Sequence, residues 1–97
     1  AAGFPPAQRL VYVGVIGRDR RRVAAAAARY ADQVRDAEGV EVLGPAPYPI
    51  ARLNNEWRYR IALRSQRPAQ LRAIVRERIL KAARADRTTR VAINVDP

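Results

Sequence analysis

The chain has 97 residues, no cysteine and no histidine. That length allows one small domain with a core of its own. The missing residue types exclude disulfides, thiolate metal sites and the commonest general base, leaving only carboxylates, Tyr or Lys for any catalysis. The net charge is +10, which favours an anionic partner.

The positive charge is unevenly spread. Between Arg52 and Arg90 there are twelve bases against three acids, and residues 1–51 carry seven against five. Eighteen of the nineteen bases are Arg, whose planar fork suits phosphates and carboxylates. No apolar run approaches the roughly 20 residues that span a bilayer, and nothing reads as a signal peptide. A start at Ala1-Ala2-Gly3 without Met suggests a piece of a longer protein.

Residues 1–8 read as an extended lead-in anchored by Phe4. Arg9 to Ile16 is a strand, β-branched and aromatic on both faces as in a sheet centre, with Gly14 marking a close approach or bulge. Asp19 is placed to cap a helix from about Arg20 to Asp36. Val23, Ala27, Tyr30, Ala31 and Val34 lie on its inner face at helical spacing. Arg20, Arg21 and Arg22 occupy its first turn, where the helix dipole disfavours cations. Glu38-Gly39 ends the helix.

A strand then begins at Val40 and meets Pro45, Pro47 and Pro49. These keep the chain extended but deny it normal pairing inside a sheet. After the turn-favouring Asn54-Asn55, Trp57, Tyr59, Ile61 and Leu63 alternate with Glu56, Arg58, Arg60, Ala62 and Arg64. This is the period-2 pattern of a strand with one buried face. Pro68 suits the first position of a second helix, whose apolar stripe is Leu71, Ile74, Val75, Ile79 and Ala82. Arg78 falls inside that stripe and is expected to reach outward with its stem buried. The helix fades through Ala83 to Asp86. Arg90 to Asp96 is the last strand, with Val91, Ile93 and Val95 inward.

The element order β-α-β-β-α-β predicts an α+β domain of ferredoxin-like type, a four-stranded antiparallel sheet with both helices on one face. The other face is then open, and strand parity places Arg58, Arg60 and Arg64 on it, with Arg90 and Asn94 nearby. These arginines, with Arg52, are the candidate nucleic-acid contacts. On the second helix, Arg72 and Arg76 share a flank with Leu80 and Ala73 beside them. Arg67 stands at the start of that helix. Arg67, Arg72, Arg76 and Leu80 are the candidate contacts for a protein partner.

Four pieces of the chain, in order, resemble a known family. Gly3-Phe4-Pro5-Pro6 is similar to the Gly-Tyr-Pro-Pro-Phe that opens the C-terminal domain of primosomal protein N′ (PriA), the replication-restart helicase. Val42-Leu43-Gly44-Pro45-Ala46-Pro47 resembles its Val-Leu-Gly-Pro-Ala-Pro signature. Trp57-Arg58-Tyr59-Arg60 sits where that family has an aromatic-Arg-aromatic strand, and Val91 to Pro97 resembles its closing Val-Asp-Val-Asp-Pro. Ala7, Asn55 and Asn94 depart from the pattern.

The resemblance covers nearly the whole chain as a single domain, 1–97. It implies a fold like ribosomal protein S10 and a non-catalytic module that binds single-stranded or branched DNA. It also implies the single-stranded-DNA-binding protein SSB as a partner, through an acidic tail closing in Pro-Phe, together with other primosome components. A packing domain whose basic surface docks on the rest of the protein's own chain is a further reading compatible with it. The setting implied is the bacterial cytoplasm and nucleoid, with no membrane partner. ATP, Mg and Zn would belong to upstream domains, with no cofactor in this piece.

Two alternatives share the fold. One is an RNA-binding module of ribosomal S10 type. The other is a small phosphatase that uses the loop Gly14 to Arg18 ahead of Arg20. For the latter, the Gln-Gly-Val run of acylphosphatase loops is missing.

Overall fold

The computed structural model describes residues 9–95. The expected lead-in and its Phe4 anchor lie outside the described residues, as do Asp96 and Pro97 of the closing motif. Strand β1 (Arg9–Gly17) is central, pairing antiparallel with both β3 (Glu56–Ser65) and β4 (Thr89–Val95). Strand β2 (Glu41–Leu53) pairs with β3 at one edge, so the sheet order is β2-β3-β1-β4. This is the ferredoxin-like arrangement that the element order predicts.

The inward residues meet the helices in one core. Val11, Val13 and Val15 of β1 and Ile61 and Leu63 of β3 are buried, and their alternation follows the pleat. Helix α1 (Arg20–Val34) lies on them through Val23, Ala26, Ala27, Tyr30, Ala31 and Val34. Its alanines bring backbone close to the sheet. Asp19 caps it, accepting from the amides of Arg21 at 2.9 Å and Arg22 at 3.2 Å. The helix ends at Val34, two residues short of the expected Asp36, and the chain turns at Gly39 with φ +79°.

The second helix, α2, comprises three consecutive segments: α-helical Pro68–Ile74, π-helical Val75–Leu80 and α-helical Lys81–Ala83. Pro68 stands in its first turn as expected. Leu71, Ile74, Val75 and Ile79 are buried, while Ala82 is only partly so. Arg78 does reach outward. Its guanidinium donates to the Gln33 carbonyl at 3.2 Å and to Asp36 at 3.0 Å, tying α2 to the end of α1 on the surface.

Strand β2 explains what the prolines do. It runs for 13 residues but its register with β3 shifts between Leu43 and Ala46 and again between Pro47 and Arg52. Pairing survives because β2 is an edge strand, where a missing donor can face away from the ladder. Gly44 takes φ +93° and precedes a cis bond to Pro45. Asn54 and Asn55, at φ 54° and 63°, form the turn into β3, a conformation that Asn tolerates better than most residues.

Candidate nucleic-acid interface

The sheet face away from the helices carries the basic residues that parity assigns to it. Cross-strand partners share a face. Arg58 stands opposite Ile16, Arg60 opposite Gly14 and Arg64 opposite Leu10, while Arg90 and Asn94 stand opposite Ile16 and Tyr12 from the other side. Their chemical states differ. Arg64 is paired with Glu41 of β2, and Arg90 with Glu56 of β3. The hydrogen bond from Arg90, aided by the charges of Arg90 and Arg18, holds the Glu56 carboxyl below its usual range and raises Arg90 in turn. The two acids thus compensate Arg64 and Arg90, whereas among the described residues no acid pairs with Arg58 or Arg60.

Tyrosines stand against those two arginines. The Arg58 guanidinium lies over the Tyr48 ring, 4.8 Å from its centroid. It also donates to the Ile50 carbonyl through Nε at 3.3 Å and Nη2 at 2.8 Å. Arg60 lies between two rings, 4.9 Å from Tyr12 and 5.3 Å from Tyr48. Among the described residues the contacts of the Arg60 guanidinium are these two rings, with no side-chain hydrogen bond or ion pair. Two half-buried tyrosines interleaved with two arginines combine phosphate forks with surfaces on which bases stack.

Sequence reading missed both tyrosines. Tyr12 was within reach, since it alternates with Val11 and Val13 and parity puts it on the open face. Tyr48 was not, because the register shifts in β2 break the period-2 pattern on which such an assignment rests.

Arg52 is not part of this face. It is the cross-strand partner of Trp57, and Trp57 packs against the core on the helix side. The guanidiniums of Arg52 and Arg20 lie over the Trp57 ring at 5.5 and 5.4 Å. Arg20 also donates to the Tyr59 hydroxyl at 3.4 Å.

The partner candidates on α2 divide. Arg72, Arg76 and Leu80 line one groove of about 240 Å³ with Val11, Val75, Ile93 and Val95. Its floor is therefore built from β1 and β4 as well as α2, and Ala73 takes no part. Arg67 lies outside it. Its amide donates to the Ser65 hydroxyl at 3.0 Å, and it lines a separate cleft with Arg64, Gln66 and Gln70. Among the described residues no cluster of three or more acidic side chains could hold a metal ion, and no helix is long and apolar enough to cross a membrane.

The chain is similar in structure to the de novo designed protein Foldit4, with TM-score 0.71 over 94% of this chain and 98% of that one; at 15% identity, the likeness concerns the fold alone. In sequence it is 40% identical over 70 residues to a probable replication restart protein PriA from Deinococcus radiodurans. That match takes in 70% of this chain but 8% of the relative, so the chain spans a small fraction of the length of the curated relative it matches. The model of the primosomal protein N C-terminal domain matches residues 1–97, and the chain belongs to that family.

Proposed function

We propose that the chain is a non-catalytic DNA-binding module of a replication restart protein, engaging single-stranded and branched DNA through the open sheet face. The observation that carries this reading is the alternation of Arg58, Tyr48, Arg60 and Tyr12. Arginines two residues apart on a strand stand roughly 6–7 Å apart, near the phosphate spacing of a single strand. The rings offer sequence-tolerant stacking. Binding of this kind falls steeply with salt and shows little base preference.

The test is a salt titration of single-stranded DNA binding. Arg58→Gln with Arg60→Gln should flatten the log-log slope by about one and a half to two contacts. An unchanged slope would remove DNA from the open face. Structured RNA as competitor distinguishes the ribosomal type of module, which would prefer it.

The partner proposed for the groove of Arg72, Arg76 and Leu80 is the acidic SSB tail. The two guanidiniums supply charge-assisted bonds to carboxylates, and the apolar floor accepts an aromatic end. No cofactor is proposed for this domain. ATP, Mg and Zn are expected in the remainder of the parent protein, and this domain's further proposed partners are the rest of its own chain and other primosome components in the bacterial cytoplasm.

A further inference from the structure

The β2–β3 hairpin carries two basic-aromatic groups back to back. On the open face, Tyr48 lies under Arg58 and beside Arg60. On the helix face, Trp57 is flanked by Arg20 and Arg52. Trp57 and Arg58 are consecutive, so the two groups are separated by the thickness of one strand. The second group is no ordinary piece of core. Trp57 is only half-buried, and one of its cations comes from the first turn of α1, where the helix dipole opposes positive charge. At the end of the hairpin stands Leu53, 46% exposed. It is paired with Glu56 beside the tight Asn54-Asn55 turn. A lone exposed leucine is common on proteins. One at a turn between two arginine-aromatic faces has the form of the apolar wedges that proteins insert between bases.

We infer that this hairpin divides a forked nucleic acid, with one separated strand on each face and Leu53 at the branch point. The inference rests on the open face being a DNA surface and adds a second strand, a second face and the wedge. A ligand with one strand can use only one of the two faces. A branched ligand uses both, so the hairpin itself confers preference for branched DNA.

Trp57 is the chain's single tryptophan and reports on its own face. The experiment measures tryptophan fluorescence and affinity of the 97-residue chain with a forked DNA and a single strand of matching sequence. The fork carries 2-aminopurine at the junction. The fork should quench Trp57 and bind about tenfold more tightly than the single strand, while the single strand leaves Trp57 emission unchanged. Arg20→Gln with Arg52→Gln should bring fork affinity down to the single-strand value and leave single-strand affinity within about twofold. Leu53→Ser should keep fork affinity within about threefold and abolish the brightening of 2-aminopurine.

These side chains are exposed, so unchanged melting temperatures should accompany the variants. Arg20→Lys with Arg52→Lys should restore part of the fork preference. Equal affinity for fork and single strand overturns the inference, as does unchanged fork binding in the Arg20, Arg52 variant. The latter result would turn that face over to protein docking. Brightening that survives Leu53→Ser removes the wedge. The separate variant Arg58→Gln with Arg60→Gln reports on the open face: if it alone fails to weaken single-strand binding, the fault lies with the proposed function rather than with the hairpin.

Discussion

Tyr48 lies across the backbone of Gly14: a Cβ placed on Gly14 would stand 2.7 Å from the tyrosine hydroxyl oxygen. The glycine sits in the central strand, directly opposite Arg60. Its missing side chain is the space into which an edge-strand aromatic extends to reach the middle of the open face. A side chain at 14 displaces the far end of a tyrosine rather than backbone, so the fold should accept it. Gly14→Val even adds a residue that strands favour. We expect it to weaken single-stranded DNA binding by about fivefold to tenfold, close to the loss of one stacked base in Tyr48→Ala. The two variants should be non-additive, because both remove the same ring from the same place. Full additivity would mean that Gly14 acts through something other than Tyr48.

Arg64 is the open-face arginine engaged by an acid of the edge strand, Glu41. Both side chains are about half exposed, at 40% and 51%, and an exposed pair of this kind adds little stability. Its larger effect is on the field of the face, where Glu41 cancels one of the charges a phosphate would meet. Arg64→Gln alone should change DNA affinity by less than about twofold. Glu41→Gln should raise it by about twofold to fivefold at low salt and steepen the salt dependence by up to one contact. Equal effects of Arg58→Gln and Arg64→Gln would show that the pair does not hold in solution.

Gly44 stands at the first register shift of β2, at φ +93°. A Cβ there would approach the Arg60 carbonyl oxygen and the Ala46 amide nitrogen to 3.1 Å each. Both the backbone conformation and the space therefore favour glycine. Gly44→Ala should destabilise the domain by about 1–3 kcal/mol, read as a lower midpoint in urea with an unchanged m-value. The neighbouring Ala46 is exposed, and Ala46→Ser should be close to neutral.

Much of the architecture was legible because it depends on local rules. The alternation from Glu56 to Arg64 located the two faces of β3, Asp19 located the start of α1, and Pro68 located the start of α2. The π-helical Val75–Leu80 stretch was not legible. Buried Leu71, Val75 and Ile79 recur every four residues, a spacing that an α-helix also satisfies, so the altered hydrogen bonding leaves no mark on the pattern. The division of the open face was also hidden. Whether Arg64 meets Glu41 and Arg90 meets Glu56 depends on register between strands, and Tyr48, which reaches Gly14, lies past one slip of β2 against β3 and within the stretch of the second.

Asp86 fixes the connection from α2 to β4. Its carboxylate accepts from the Thr88 hydroxyl at 2.6 Å and amide at 2.8 Å and from the Thr89 hydroxyl at 3.0 Å, and it pairs with Arg29 of α1 at 3.3 Å. The Thr88 hydroxyl is the main cause holding this carboxyl below its usual range. A carboxyl with a lowered folded-state pKa stabilises fully above the unfolded-state value near ~3.9, and the contribution is lost as pH falls through the folded value. Asp86→Asn should therefore lower stability by about 1–2 kcal/mol at pH 7. The gap to the wild type should close as pH falls below the usual carboxylate range and the folded-state carboxyl takes up its proton. A gap that stays constant from pH 7 through protonation of the carboxyl would show that geometry, not charge, carries the effect.

The groove beneath Arg72 and Arg76 sets the last test. Arg72 and Arg76 are its charged lining residues, and its apolar lining of Val11, Val75, Leu80, Ile93 and Val95 joins α2 to the sheet. An acidic peptide with an aromatic end would place carboxylates against the two arginines and its ring against the apolar lining. The two parts should fail differently. Arg72→Glu with Arg76→Glu should abolish binding of a labelled tail peptide at low salt, since like charges then face one another. Leu80→Ser should weaken binding by about threefold to tenfold with the salt dependence intact, because it removes apolar contact alone. Removing the terminal Phe from the peptide should reproduce the Leu80→Ser loss, and the two changes together should cost no more than either one. If the charge reversal leaves affinity intact, the tail binds elsewhere, and Arg67 with the cleft it shares with Gln66 and Gln70 becomes the next surface to test.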